Sequence, residues 1–349
     1  MPELKIEDVD DVQPKEMKPI QTEKQVIPLG YLPIEMSTNG LLGVPKVVHC
    51  RNFSTSDLVD ISMFNDAILP ERIITVLNSM IFEKTDVANW PDKCIIELLV
   101  KLYVNFFTPI LNQVVFPWNQ EDLDWLEAHE KIDEKDSLMD GKWVPRIDLD
   151  LTSVGIKMLS ENVKSYVTFK KKETGFSAKF ISYPRYGDVL SVRKALEAKF
   201  EESDRKFAKI KQMFEIQEKF LQEGRDISMF EPIDQAEYMK WQTYEAKKAI
   251  YAAKASQALY LVEYRGEDLS NATIDEKIAY VEKPEFDVKL ATKINKQFQK
   301  LEFGINPLVT VKNPITGERC QRYFTFRLMD ILQAIRTSES DEYDISYDE

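Results

Sequence analysis

Between about Lys194 and Phe303 the chain carries three long amphipathic helical patterns in succession, and this run limits the fold more than any other feature. Leu196, Phe200, Phe207, Ile210, Phe214 and Leu221 recur at intervals of three, four or seven. That spacing gathers apolar side chains on one helical face. Lys and Glu are nearly balanced on the other faces, and Gly224 is a natural stop. The second pattern, about Ile233 to Tyr264, holds Ala246, Ala249, Ala252, Ala253, Ala255 and Ala258, small enough for a neighbouring helix to come close. The third opens at Thr273, which with Glu276 forms a capping box. Pro284 interrupts it, and Phe286, Leu290, Ile294, Phe298 and Leu301 continue the stripe to Gly304. Helices of about 25 residues each span roughly 35–40 Å, so the run predicts an arm that projects from a smaller body.

The flanking sequence predicts that body. Residues 1–45 read as an extended N-terminal arm, solvated to about residue 26 and then punctuated by Pro28, Gly30, Pro33, Gly40, Gly43 and Pro45. Lys46–Arg51 is a strand candidate. Ser54 or Ser56 caps a short helix, and Pro70 opens another through Ile73, Ile74, Leu77 and Ile81. Trp90-Pro91-Asp92 opens a third helix, apolar on most faces and therefore the expected core helix, with Pro109 at its end. Pro117–Pro145 is an acidic, tryptophan-bearing connection with helical pieces. The period then changes from 3.6 to 2. Val167 and Phe169 lead through Lys171–Gly175 to Phe176, Ala178 and Phe180, a β-hairpin, and Arg146–Leu151 is a further strand. Leu308–Val311 and Arg319–Phe324 flank a turn and form a second hairpin, followed by a helix over Leu328–Ile335. The predicted fold is α+β and mainly helical: a compact body with small antiparallel hairpins (46–193, completed by 304–336), a three-helix insertion (194–303) and an acidic tail (337–349).

Composition narrows the function. With 44% apolar and 30% charged residues among 349, the chain has the makeup of a folded soluble protein. A net charge of −13 argues against nucleic acid and anionic membranes as partners. Glu97, Lys101, Asn105 and Pro109 interrupt the one apolar stretch, Cys94–Phe116, so a core helix is expected there and not a membrane span. Cys50, Cys94 and Cys320 have no metal-site spacing and read as reduced thiols. Four residues beyond His129 stands Asp133, which rules out the paired histidines of a zinc protease. Gly40-Leu-Leu-Gly43 lacks the lysine of a phosphate loop. Asp148 and Asp150 share one face of a strand, as any amphipathic strand arranges them. No catalytic, metal or cofactor residues are therefore assigned. Large aromatics in polar surroundings mark interfaces, and the candidate partner-binding residues are Trp118, Trp125, Trp241, Phe207 and Phe214.

The order IPLGYLP…GLLGVPKVVHCRNFSTSDLVDIS, then CIIELLVKLY, then a hairpin ending FISYPRYGDVLSVRKALEAKF resembles the small baseplate-hub and tail-assembly family of contractile-tailed, T-even type bacteriophages. In that family a Pro/Gly lead and a short strand precede a Ser/Thr-x-Asp helix start, matched here from Ser54 to Asp57. A later strand runs into a Pro-Arg-x-Gly-Asp step, matched by Pro184, Arg185, Gly187 and Asp188. The resemblance covers about residues 27–200 and, more weakly, 304–335; the helical insertion and acidic tail depart from it. It implies a non-enzymatic structural or assembly protein of the tail and baseplate. Its partners would be other tail proteins or further copies of itself, and it would be made in the host cytoplasm and carried into the virion. The alternatives are a transient assembly chaperone absent from the virion, a cellular helical adaptor, and an enzyme built from scattered carboxylates.

Overall fold

The computed structural model describes residues 26–63, 68–160, 163, 166–171, 175–222, 234–299 and 302–338. The N-terminal half runs β1 (Tyr31–Glu35), β2 (Val47–Arg51), α1 (Thr55–Met63), α2 (Leu69–Met80), α3 (Asp92–Phe106), β3 (Ile110–Val115), α4 (Gln120–Ala128), α5 (Ile132–Met139), β4 (Arg146–Asp150), β5 (Ile156–Lys157), β6 (Tyr166–Lys171) and β7 (Phe176–Ile181). It continues as α6 (Tyr186–Gln222), α7 (Gln235–Ala258), β8 (Leu261–Tyr264), β9 (Glu267–Asp268), α8 (Ile274–Val281), α9 (Val288–Gln299), β10 (Gly304–Ile305), β11 (Leu308–Lys312), β12 (Arg319–Tyr323) and α10 (Leu328–Ser338). The sheets are small and antiparallel: β1-β2, β3-β4, β5-β10 and β11-β12 pair off, and β6-β7-β8-β9 form one four-stranded sheet. The fold is α+β and mainly helical.

Two hydrophobic cores divide the chain. The first is built around α3, whose Ile95, Leu98, Leu99 and Leu102 have no exposed surface. Ile331, Leu332 and Ile335 of α10 close it, as do Ile73, Leu77 and Met80 of α2. Trp90 is fully buried there, and its indole N–H donates to Thr85 Oγ1 at 3.1 Å. Glu97 on α3 is also fully buried. It accepts from the Ser37 backbone N–H at 2.8 Å, the Ser37 hydroxyl and the Lys101 ammonium at 2.6 Å. A buried carboxylate is tolerated only when paired and hydrogen-bonded, so this cluster fixes the lead-in strand to the core helix. The second core joins Phe169, Phe176, Ala178 and Phe180 of the β6-β7 hairpin to Ala255, Ala258, Leu261, Ile278, Val281, Leu290 and Ile294.

Several boundaries differ from the sequence expectation. The lead-in contains a strand, β1, which pairs with β2. After Pro109 the apolar run becomes β3, the partner of β4. The β6-β7 hairpin packs with residues of 255–294 in the second core, and the chain then returns to the first core through Tyr183, Tyr186 and Leu190. The first long helix begins at Tyr186. Gly187 permits this, because a Cβ there would stand 3.2 Å from the Ala88 carbonyl oxygen. Tyr186 ties the helix root to the body: its N–H donates to Trp90 O at 2.8 Å and its hydroxyl to Pro70 O at 2.9 Å. The second pattern stops being helical at Ala258. Its last residues form β8, because the β7 edge offers backbone pairing to a β-favouring Leu-Val-Glu-Tyr. The third pattern is two helices, α8 and α9, separated around Pro284, and Thr273 with Glu276 makes the capping box. Gly224, the side chains of Leu221, Phe298 and Leu301, most of the 337–349 tail and residues 1–25 lie outside what the structure describes.

Candidate interaction surface

α6 and α7 run antiparallel and meet along one aromatic seam. Phe200 packs on Tyr251 with ring centroids 5.5 Å apart, and Phe207 on Tyr244 at 5.1 Å. Phe214 packs on Tyr238 at 5.4 Å and on Trp241 at 5.3 Å. The seven-residue step from Phe200 to Phe207 to Phe214 keeps one face toward the partner helix, as in a coiled coil. Ile210 and Tyr244 are the buried residues of the seam, 8% and 9% exposed. Phe207, Phe214 and Trp241 are half-buried.

Polar groups lock the seam. Asp204 on α6 accepts from the Lys248 ammonium at 2.7 Å and the Tyr244 hydroxyl at 2.6 Å. Partial burial pushes the Asp204 carboxyl up, but these two donors outweigh it and hold the group below the usual carboxylate range. The Tyr244 hydroxyl is raised by the same burial and by the Asp204 charge. Nearer the second core, Lys199 reaches Asp275 at 2.8 Å, and Tyr251 also donates to Asp275.

The five candidate residues do not form one surface. Phe207, Phe214 and Trp241 come together, but they are spent on the seam within one chain. Trp118 lies just before α4 and Trp125 within it, on the body. Trp125 is half-buried, stacks on His129 at 4.0 Å and lies 5.5 Å from the Lys131 ammonium. Trp118 is 41% exposed and is the one free aromatic of the set. What the helical arm leaves open is the back of α7. Met239 and Ile250 are each 56% exposed, and Ala246, Ala249 and Ala253 lie exposed beside them. The sequence held this signal: Met239, Ala246, Ile250 and Ala253 keep the three-four-seven spacing of a second stripe, offset from the aromatic one.

The polar groups of the body bond to one another and to the backbone. Asp122, 1% exposed, accepts from the Arg322 guanidinium at 2.9 and 3.0 Å and from Asn313 Nδ2 at 2.6 Å. It also caps α4 by accepting from the Asn119 N–H at 2.8 Å. These bonds join α4 to the β11-β12 hairpin. Asp148 accepts from the Gln113 N–H at 3.0 Å, and Asp150 from the Thr152 N–H at 2.9 Å and its hydroxyl at 2.7 Å. Those Thr152 bonds hold the Asp150 carboxyl below its ordinary range. His129 Nδ1 is 2.8 Å from the Trp125 carbonyl oxygen, and His49 Nδ1 is 2.6 Å from Glu83. Burial, aided by the Glu83 charge, pushes the Cys50 thiol up to about 12. Among the described residues no three His, Cys, Asp or Glu side chains gather as a metal site, and no helix is long and apolar enough to cross a membrane.

No protein-family model, curated protein or solved structure matches this chain.

Proposed function

We propose that this protein is a non-enzymatic structural or assembly component that works by holding other proteins, with the back of α7 as its principal contact face. The single observation that supports the reading is that open stripe, exposed on an arm whose aromatic face is already taken. A helix with one apolar stripe paired and a second unpaired suits a groove-and-helix contact with another subunit. The root of α6 is bonded into the body, so the arm has a fixed base from which to engage a partner. The resemblance of residues 27–200 to baseplate-hub and tail-assembly proteins supports a contractile bacteriophage tail as the assembly, with other tail proteins as partners.

The test is affinity purification of the tagged chain from infected cells, with mass spectrometry of what accompanies it. The reading expects tail and baseplate proteins, and it expects Ile250→Glu to lose them while the chain stays folded. Recovery of the same proteins by that variant, or turnover of a small molecule by the pure chain, overturns it. Peptides of the chain in purified virions separate a resident component from a transient chaperone.

A further inference from the structure

A cleft of about 850 Å³ opens between β4 and β11, lined by Ile147–Asp150 on one side and Thr310–Pro314 with Arg319 on the other. It is a fork. At its base the two chain segments are zipped antiparallel: Gly304 pairs with Lys157, Ile305 with Ile156, and the Asn306 N–H donates to the Gly155 carbonyl at 2.8 Å. Beyond Ser153 they part. Both walls are strand edges, and on the β4 side the Asp150 carbonyl already accepts from the Ser153 hydroxyl at 2.6 Å, so the β11 edge is the more open one. Leu151 N–H donates to Pro109 O and Phe116 N–H to Pro145 O, so the odd residues of β4 bond to β3. Antiparallel ladders alternate residues that bond inward with residues that point away, which turns the backbone of Asp148 and Asp150 outward. The same reasoning applies to β11. Asn313 N–H donates to Glu318 O and Phe324 N–H to Pro307 O, so the odd residues face β12 and the backbone of Thr310 and Lys312 faces away from it.

The charges of the cleft are unbalanced. Asp148 and Asp150 are engaged by their own neighbours, as described above. Lys312 and Arg319 stand directly opposite each other in the hairpin register, both exposed, and neither has a carboxylate partner among the described residues. Like charges in that position repel. The fork therefore offers open backbone edges, an apolar row through Ile147 and Val311, and two uncompensated cations.

We propose that the occupant is the chain's own acidic C-terminus, with Tyr343–Asp348 adding as an extended strand along β11. In that segment Tyr343, Ile345 and Tyr347 alternate with Asp344, Ser346 and Asp348. This is the period of a half-buried strand, with β-favouring residues on one face and acids on the other. The tyrosine-isoleucine face extends the apolar row, and the aspartates neutralise Lys312 and Arg319. Eleven residues follow Ser338 in the sequence, an extended reach of about 36 Å. Strand addition of this kind draws affinity from backbone pairing and selectivity from alternate side chains.

Residue-resolved amide hydrogen exchange on the full chain tests this. The Thr310 and Lys312 amides should exchange about tenfold more slowly in the full chain than in a chain ended after Ser338 or in Asp344→Lys/Asp348→Lys, because pairing closes an open edge. Adding Lys312→Glu/Arg319→Glu to the tail-reversed chain should restore the protection. An unfolding midpoint equal to the parent's shows that the fold survives the tail substitutions. Equal exchange in all forms overturns the proposal. Protection that rises with protein concentration overturns the same-molecule source and assigns the site to a second copy's tail. Protection that appears only with a bound partner assigns it to a foreign strand and overturns the proposal equally.

Discussion

The body and the helical arm solve the same problem with different completeness. Around α3 the body encloses its apolar residues from every side: Leu98, Leu99 and Leu102 are fully buried, and α2 and α10 cover them. In the arm, the α6-α7 seam is covered on one side only, and of its residues only Ile210 and Tyr244 fall below a tenth exposed. Yet both regions spend hydrophobic residues at helical spacing. Helices gain most of their stability in proteins from packing an apolar face. α7 also meets α8 toward its C-terminal end, where Ala255 and Ala258 are buried, but its stripe through Met239, Ala246 and Ile250 stays exposed and is left for another molecule. The body's polar groups follow the same contrast, since Glu97 and Asp122 are buried locks while Asp204 and Lys248 pair at a solvated edge.

The contrast makes ranked expectations. Asp122→Ala should be the most damaging change, costing about 3–5 kcal/mol, because it strands the Arg322 guanidinium and Asn313 in a buried site. Urea unfolding measures this, and a loss below about 1 kcal/mol would mean the α4–hairpin junction is held by packing alone. Leu99→Ala should follow at about 3 kcal/mol from lost transfer energy and a cavity, with a single cooperative transition shifted down. Phe207→Ala should cost about 1 kcal/mol, the scale of an aromatic pair at a half-exposed site. Its effect should appear as faster amide exchange in α6 and α7 with the α3 amides unchanged. If α3 exchange rises equally, arm and body are one cooperative unit and the contrast fails.

Acid should loosen the α6-α7 seam. The Asp204 carboxyl is held below its unfolded value, whose reference is 3.8. Its contribution is therefore complete above that pH and is lost as pH falls through the lower folded value. The fluorescence of a chain retaining only Trp241 should report this change, and Asp204→Asn should remove the acid step. The smallest stability effect belongs to Ile250→Glu, within about 0.5 kcal/mol of the parent because the side chain already faces solvent.

The helical periodicity was legible in the sequence, and so were the hairpins and the caps at Ser54 and Thr273, because these depend on residues a few positions apart. The Ser54 hydroxyl accepts from the Asp57 N–H at 3.3 Å and Asp57 answers at 2.7 Å. What the sequence hid depends on distant partners. Leu261–Tyr264 continues a helical pattern until the β7 edge is available to pair with it. The short strand β5 exists only against β10, well over a hundred residues later. The buried pairing of Asp122 with Arg322 is equally remote in sequence. For the interaction surface, the large aromatic residues carry the stronger sequence signal. Their size is also why they fill the α6-α7 seam, while the smaller residues Ala246, Ala249 and Ala253 stay outside with Ile250.

The central claim is that the back of α7 binds another protein while contributing nothing to folding. The most direct measurement compares the parent chain with Ile250→Glu/Ala246→Glu in quantitative co-purification from infected cells, alongside thermal unfolding of each. The account predicts the same unfolding midpoint and a loss of the accompanying tail proteins. An unchanged set of partners, with an unchanged midpoint, would contradict it.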